Sequence, residues 1–116
     1  MAGRVRRGEI WSVAGAGNYL GKPRPVVILQ DDRFYTTDSI TICPLTSDPS
    51  DAPLFRLSVE PSEENGLRSM SRVIVDKIST VAKSKLGMRI GRLAQEDIVR
   101  LNRAVVVFLG IVAASV

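Results

Sequence analysis

The chain reads as an α+β protein, mainly β: a small twisted antiparallel barrel, partly closed, with one C-terminal helix. Three observations carry this expectation. Short apolar runs recur through the first 92 residues, turn-rich polar segments separate them, and one stretch of helical periodicity follows. With 116 residues, 45% of them hydrophobic and 24% charged, the chain has the size and composition of a single domain spanning residues 1–116.

Glu9-Ile10-Trp11-Ser12-Val13 alternates and predicts a strand with Ile10 facing a core. Gly15 to Gly21 is then a loop, because its glycines open backbone paths closed to other residues. Pro25-Val26-Val27-Ile28-Leu29 is a continuous, largely β-branched run, as in a strand buried on both faces. Asp31 to Asp38 is polar with aromatics inside and predicts a loop with one helical turn. Ile40 to Leu45 predicts another strand, ending near Pro44 because proline cannot donate to a ladder. Ser47 to Pro53 is a turn-rich connector. In Leu54 to Glu60, Phe55, Leu57 and Val59 share one face of a strand, with Arg56, Ser58 and Glu60 on the other. Pro61 to Gly66 is a second, acidic connector. One or two strands follow around Asp76 within Ser71 to Val81, and a last short one at Met88 to Arg92.

Ile98, Leu101, Val105, Phe108 and Val112 recur at spacings of three and four, which predicts a helix packed on the sheet. Leu93 is placed to pack on Ile98 as a hydrophobic staple, although Ala94 between them is a weak cap. Val106, Val107 and Leu109 widen the apolar stripe beyond one face, so part of it is expected at a subunit contact.

Two absences narrow the chemistry. The chain has no histidine, which excludes a two-histidine ribonuclease and a Ser-His-Asp hydrolase. It has one cysteine, Cys43, which excludes an intrachain disulfide and a cysteine-based zinc site. Cys43 lies in an apolar run and reads as a buried, inert thiol. The acidic pairs Asp31-Asp32 and Glu63-Glu64 lie in loop-like sequence and read as solvated charge, so neither metal nor cofactor is expected. No phosphate loop with its following lysine occurs. The basic N-terminal segment has no apolar stretch behind it, and the most apolar segment, Ala104 to Val116, is 13 residues long, too short to span a bilayer. A soluble, cytoplasmic protein is the expectation.

The net charge is +4 and the pI about 9.7. Between Lys77 and Arg92 stand five cations (Lys77, Lys83, Lys85, Arg89, Arg92) and no acid, with Arg4, Arg6 and Arg7 as a second cluster. The acids gather between Asp48 and Glu64. This segregation suits a groove for phosphates, and a plainly solvated surface accounts for it nearly as well.

Arg7-Gly8-Glu9-Ile10-Trp11, followed by Lys22-Pro23-Arg24-Pro25-Val26-Val27-Ile28-Leu29, resembles the opening of the MazF/PemK toxin family. Pro44-Leu45-Thr46-Ser47 resembles the family's strand-end threonine segment. Ser71 to Val81, then Ile90-Gly91-Arg92-Leu93 and the helix, resemble its second half. The resemblance runs from about Arg7 to Val112 and rests on the ordered set rather than on any one piece.

It implies an SH3-like barrel of the MazF/CcdB kind, a homodimer, and a MazE-like antitoxin that threads an acidic tail into the RNA groove. The implied reaction is metal-independent cleavage of single-stranded RNA at short sequences, with the neighbouring 2′-hydroxyl attacking phosphorus. Arg24 matches the family's catalytic arginine and Thr46 its catalytic threonine, with Ser47 beside it as an RNA contact. By its residues alone, Arg24 reads as a solvated charge between two prolines; the family match reverses that.

Where some relatives carry a glutamate five residues before the arginine, this chain has Tyr19, so Tyr19 or Lys22 is placed to reach the phosphate. Asp76 matches a site aspartate of one branch, but Ile74 holds the place of that branch's arginine. Asp76, with Lys77 beside it, either touches RNA or serves a structural hydrogen bond. Two rivals share the architecture. A CcdB-like gyrase-binding toxin would act through a protein contact and would not need Arg24 and Thr46 together. A silent barrel that only binds RNA would want more stacking residues than Trp11, Tyr19, Phe34 and Tyr35, in a chain with 5% aromatics.

Overall fold

Seven strands precede one helix in the computed structural model, which describes residues 4–14, 23–48 and 56–112. They are β1 Glu9–Val13, β2 Arg24–Ile28, β3 Ser39–Thr46, β4 Arg56–Val59, β5 Ser71–Ile74, β6 Ser79–Ala82 and β7 Leu86–Arg92, and the helix is α1 Gln95–Phe108. The sheet is antiparallel, in the order β4-β5-β3-β2-β1-β7, with β6 paired to the first half of β3. Among the described residues β4, β6 and β7 each pair on one side only, so the ladder does not close on itself. The Arg92 N–H donates to the Glu64 carbonyl at 2.9 Å, sealing β7 to the acidic connector after β4. Gly66 makes this approach possible: its φ is +68°, and a Cβ there would lie 2.3 Å from the Ile90 carbonyl oxygen.

β2 lies between β1 and β3, and its apolar run is buried on both faces. Val27 and Leu29 join Ile10, Cys43 and Leu101 in one cluster, while Val26 and Ile28 join Trp11 and Ile40 in the other. The loop after β2 holds the expected helical turn, a 3-10 turn at Asp32–Phe34. Helix α1 covers the first cluster through Ile98 and Leu101. Leu93 and Ile98 meet in that cluster as a staple, and Ala94 at the N-cap makes no side-chain cap bond. Gly8 is where these parts join. Its N–H donates to the Ile28 carbonyl at 2.8 Å and its carbonyl accepts from the Leu93 N–H at 2.9 Å, with φ at +86°.

Two element bounds depart from expectation: α1 ends at Phe108, so Val112, expected on its stripe, lies beyond it and is exposed, and β3 runs longer. β3 does not stop near Pro44 but continues to Thr46. On its outer side β6 pairs with Ser39 to Ile42 and β5 with Leu45 and Thr46, so Pro44 falls in the gap between them, where a missing N–H costs no ladder bond. Arg56 is not solvated like Ser58 and Glu60: its side chain is 7% exposed, with its Nε 3.9 Å from the Asp76 carboxylate. The turn Val75–Lys77 between β5 and β6 brings that acid to it.

Candidate active site

Strand register brings the two principal residues together. β2 and β3 pair Val26 with Pro44, Val27 with Cys43 and Ile28 with Ile42. Carried two places further, the same register sets Arg24, the first residue of β2, opposite Thr46, the last of β3. Residues so opposed share a face, with Cβ atoms about 5 Å apart in a regular ladder. Both line one groove of about 590 Å³, and Ser47 lies beside them. The described lining carries three arginines (Arg24, Arg68, Arg89) and no carboxylate, so its field favours an anion.

Thr46 is oriented by the chain that follows it. The Asp48 N–H donates to Thr46 Oγ1 at 3.2 Å, which occupies a lone pair and leaves the hydroxyl hydrogen to be donated elsewhere. Pro23 and Pro25 fix φ on either side of Arg24, which stiffens the backbone that carries the guanidinium.

Glu9 organises another wall. Its side chain is 9% exposed, and the carboxylate accepts from the Arg6 N–H at 2.8 Å, the Trp11 Nε1–H at 3.1 Å and the Arg89 Nε–H at 2.8 Å. Burial pushes the Glu9 carboxyl up, but these hydrogen bonds and the charge of Arg89 outweigh it and hold the group below the usual glutamate range. Ser12 Oγ accepts from the Met88 N–H at 2.9 Å and pins β7 along the same groove.

Of the residues singled out in the sequence, Arg24, Thr46 and Ser47 meet in this groove, whereas Tyr19 and Lys22 lie outside the described residues. Asp76 and Lys77 do not line it; they occupy the turn between β5 and β6, where Asp76 faces Arg56. Of the basic run from Lys77 to Arg92, Arg89 alone among the cations lines the groove. Lys83 instead binds the Tyr35 carbonyl, near the other end of β3. Trp11 is core, and Phe34 and Tyr35 are exposed but outside the groove lining. Cys43 is fully buried, and burial pushes its thiol up to about 12, which makes it inert. Arg68, Ser12 and Met88 line the groove without having been anticipated. Arg68 lies between a connector and a strand, where no periodicity marks it; only the run containing Arg89 signalled this wall.

The twisted antiparallel sheet with its C-terminal helix is the fold that known relatives share. Residues 6–109 match the PemK-like, MazF-like toxins of type II toxin-antitoxin systems, and the chain belongs to that family. The probable endoribonuclease MazF of Mycolicibacterium smegmatis is 51% identical over 107 residues, covering 92% of this chain and 98% of that protein. The solved Mycobacterium tuberculosis toxin MazF-mt6 superposes with a TM-score of 0.73 at 25% identity, over 88% of this chain and 96% of that one. An endoribonuclease in complex with its cognate antitoxin, from a mycobacterial species, superposes with a TM-score of 0.74 over 94% and 96% of the two chains. At 21% identity that second likeness is one of fold. Among the described residues no helix is long and apolar enough to cross a membrane.

Proposed function

We propose that this toxin is an endoribonuclease that cuts single-stranded RNA at short sequences without a metal, using Arg24 and Thr46. The observation that carries the reading is the convergence of Arg24 and Thr46 in one groove whose described lining holds no carboxylate. The attacking 2′-hydroxyl belongs to the substrate, so the protein need only hold the strand in line and stabilise charge. As the 2′-oxygen bonds to phosphorus, negative charge builds on the non-bridging oxygens of the five-coordinate centre. The Arg24 guanidinium offers a planar, permanently charged fork to those oxygens. The Thr46 hydroxyl, oriented by the Asp48 N–H, adds a donor aimed at the same charge. Ser47 borders the groove and contacts the strand, and Tyr19 or Lys22 reaches it from the segment before Arg24. Asp76 serves Arg56 rather than the RNA.

The working protein is a cytoplasmic homodimer with one domain over residues 1–116. The exposed apolar residues that follow α1, Leu109 54%, Ile111 68% and Val112 53% exposed, support a subunit contact there. A MazE-like antitoxin inhibits by laying an acidic tail along the groove, and its three arginines supply the complementary charge. Departure of the 5′-oxygen leaves a cyclic 2′,3′-phosphate on one fragment and a 5′-hydroxyl on the other. End-group analysis of fragments made in excess EDTA should find those ends. Ends bearing a 5′-phosphate, or cutting that stops with EDTA, would contradict the mechanism.

A further inference from the structure

We infer that Arg89, held by Glu9, contacts a second phosphate of the RNA strand, beside the scissile one, and so fixes where the strand sits in the groove. The inference rests on the endoribonuclease reading and adds a residue to it.

Register explains how Arg89 comes to the groove. β1 and β7 pair Ile10 with Gly91 but Trp11 with Arg89, so Ile90 is an extra residue in β7. Had the ladder run on unbroken, Ile90 would stand opposite Trp11. The bulge exchanges an isoleucine for an arginine at that place; bulges next to active sites commonly re-aim a side chain in this way. On β1, Glu9, Trp11 and Val13 alternate onto one face, and β2 sets Val26 opposite Trp11 and Arg24 opposite Val13. Arg24 and Arg89 therefore share a face, two strands and two residues apart, which is about 12 Å between backbones. Backbones that far apart, each bearing a long side chain, let Arg89 meet a neighbouring phosphate while Arg24 holds the scissile one.

Glu9 acts as a positioning residue. It engages only Nε of Arg89, and the arginine side chain stays 50% exposed while the glutamate is 9% exposed. An arginine that served only to neutralise a buried acid would have no reason to remain half open along the groove. Holding the guanidinium before RNA arrives reduces the rotamer freedom lost on binding.

The test couples single phosphates to single residues. A strand carrying the mapped cleavage site, with a 2′-deoxy nucleotide at the attacking position, binds without being cut. Replacing its phosphates one at a time by neutral methylphosphonate gives the affinity lost at each position. In the wild-type protein we expect losses at the scissile phosphate and at one neighbour, the latter about fivefold or more. Removing Arg89 alone would strand the Glu9 charge, so the protein compared is the double variant Glu9→Gln, Arg89→Gln, with its fold checked by thermal melting. The loss at the neighbour should vanish in that variant and the loss at the scissile phosphate should persist, as expected when one residue and one phosphate are coupled. Arg89→Lys, which keeps a cation, should restore part of it. The KM for a cleavable strand should rise in the double variant with kcat little changed. The same pattern of losses in both proteins would overturn the assignment while leaving the endoribonuclease reading intact. Wild-type protein that binds no single strand would overturn both.

Discussion

Glu9 is a carboxylate at the edge of the core with three donors around it. Because these hold its folded pKa below the ordinary glutamate range, Glu9 stabilises the protein fully above that range. The contribution is lost as pH falls through the lowered value. Urea unfolding between pH 7 and pH 3 should therefore show acid destabilisation in the wild type that is smaller in Glu9→Gln. Equal acid sensitivity of the two proteins would place the effect elsewhere. Residues of this kind were only partly legible in the sequence. Glu9 stood in a family motif, but nothing there said that it would grip a residue 80 positions away. Arg24 and Thr46 were found through resemblance, since their proximity depends on strand register, which composition does not encode. Alternation assigns Arg56 a face but does not foresee that an acid from another turn will meet it.

At the scale of elements, the strongest patterns were the most faithful. The apolar run of β2 demands burial on both faces and formed as expected, while the three-and-four spacing marks α1 but overruns its end: Ile98 and Leu101 are buried, and Val112 lies beyond Phe108 and is exposed. The extent of β3 was misjudged because the penalty for proline depends on whether a neighbour needs its N–H, and here neither β5 nor β6 pairs at that point. Two substitutions probe how α1 is held. Leu101, 1% exposed, fills the space between helix and sheet, so Leu101→Ala should cost about 2–5 kcal/mol in urea or thermal unfolding. Gly8 takes a positive φ where β1, β2 and the start of α1 are joined, and Gly8→Ala should cost about 1–3 kcal/mol from backbone strain. Wild-type stability in either variant would mean that the joint is looser than its hydrogen bonds imply.

For the whole molecule, the groove lies at the end of β3 and β2, against β7, and one set of exposed apolar residues, Phe108, Leu109, Ile111 and Val112, gathers at and just beyond the C-terminal end of α1. Sedimentation should give a dimer, and the double variant Leu109→Lys, Ile111→Lys should shift it toward monomer; a dimer of unchanged strength would place the contact on another face. Purified protein should be incubated with a long single-stranded RNA in excess EDTA, beside folded Arg24→Ala and Thr46→Ala. The account predicts cutting at a few short sequences by the wild type and a rate about a hundred- to thousand-fold lower in each variant, the usual cost of removing one preorganised donor. Undiminished cutting by either variant, or no cutting by folded wild type on several RNAs, would contradict it.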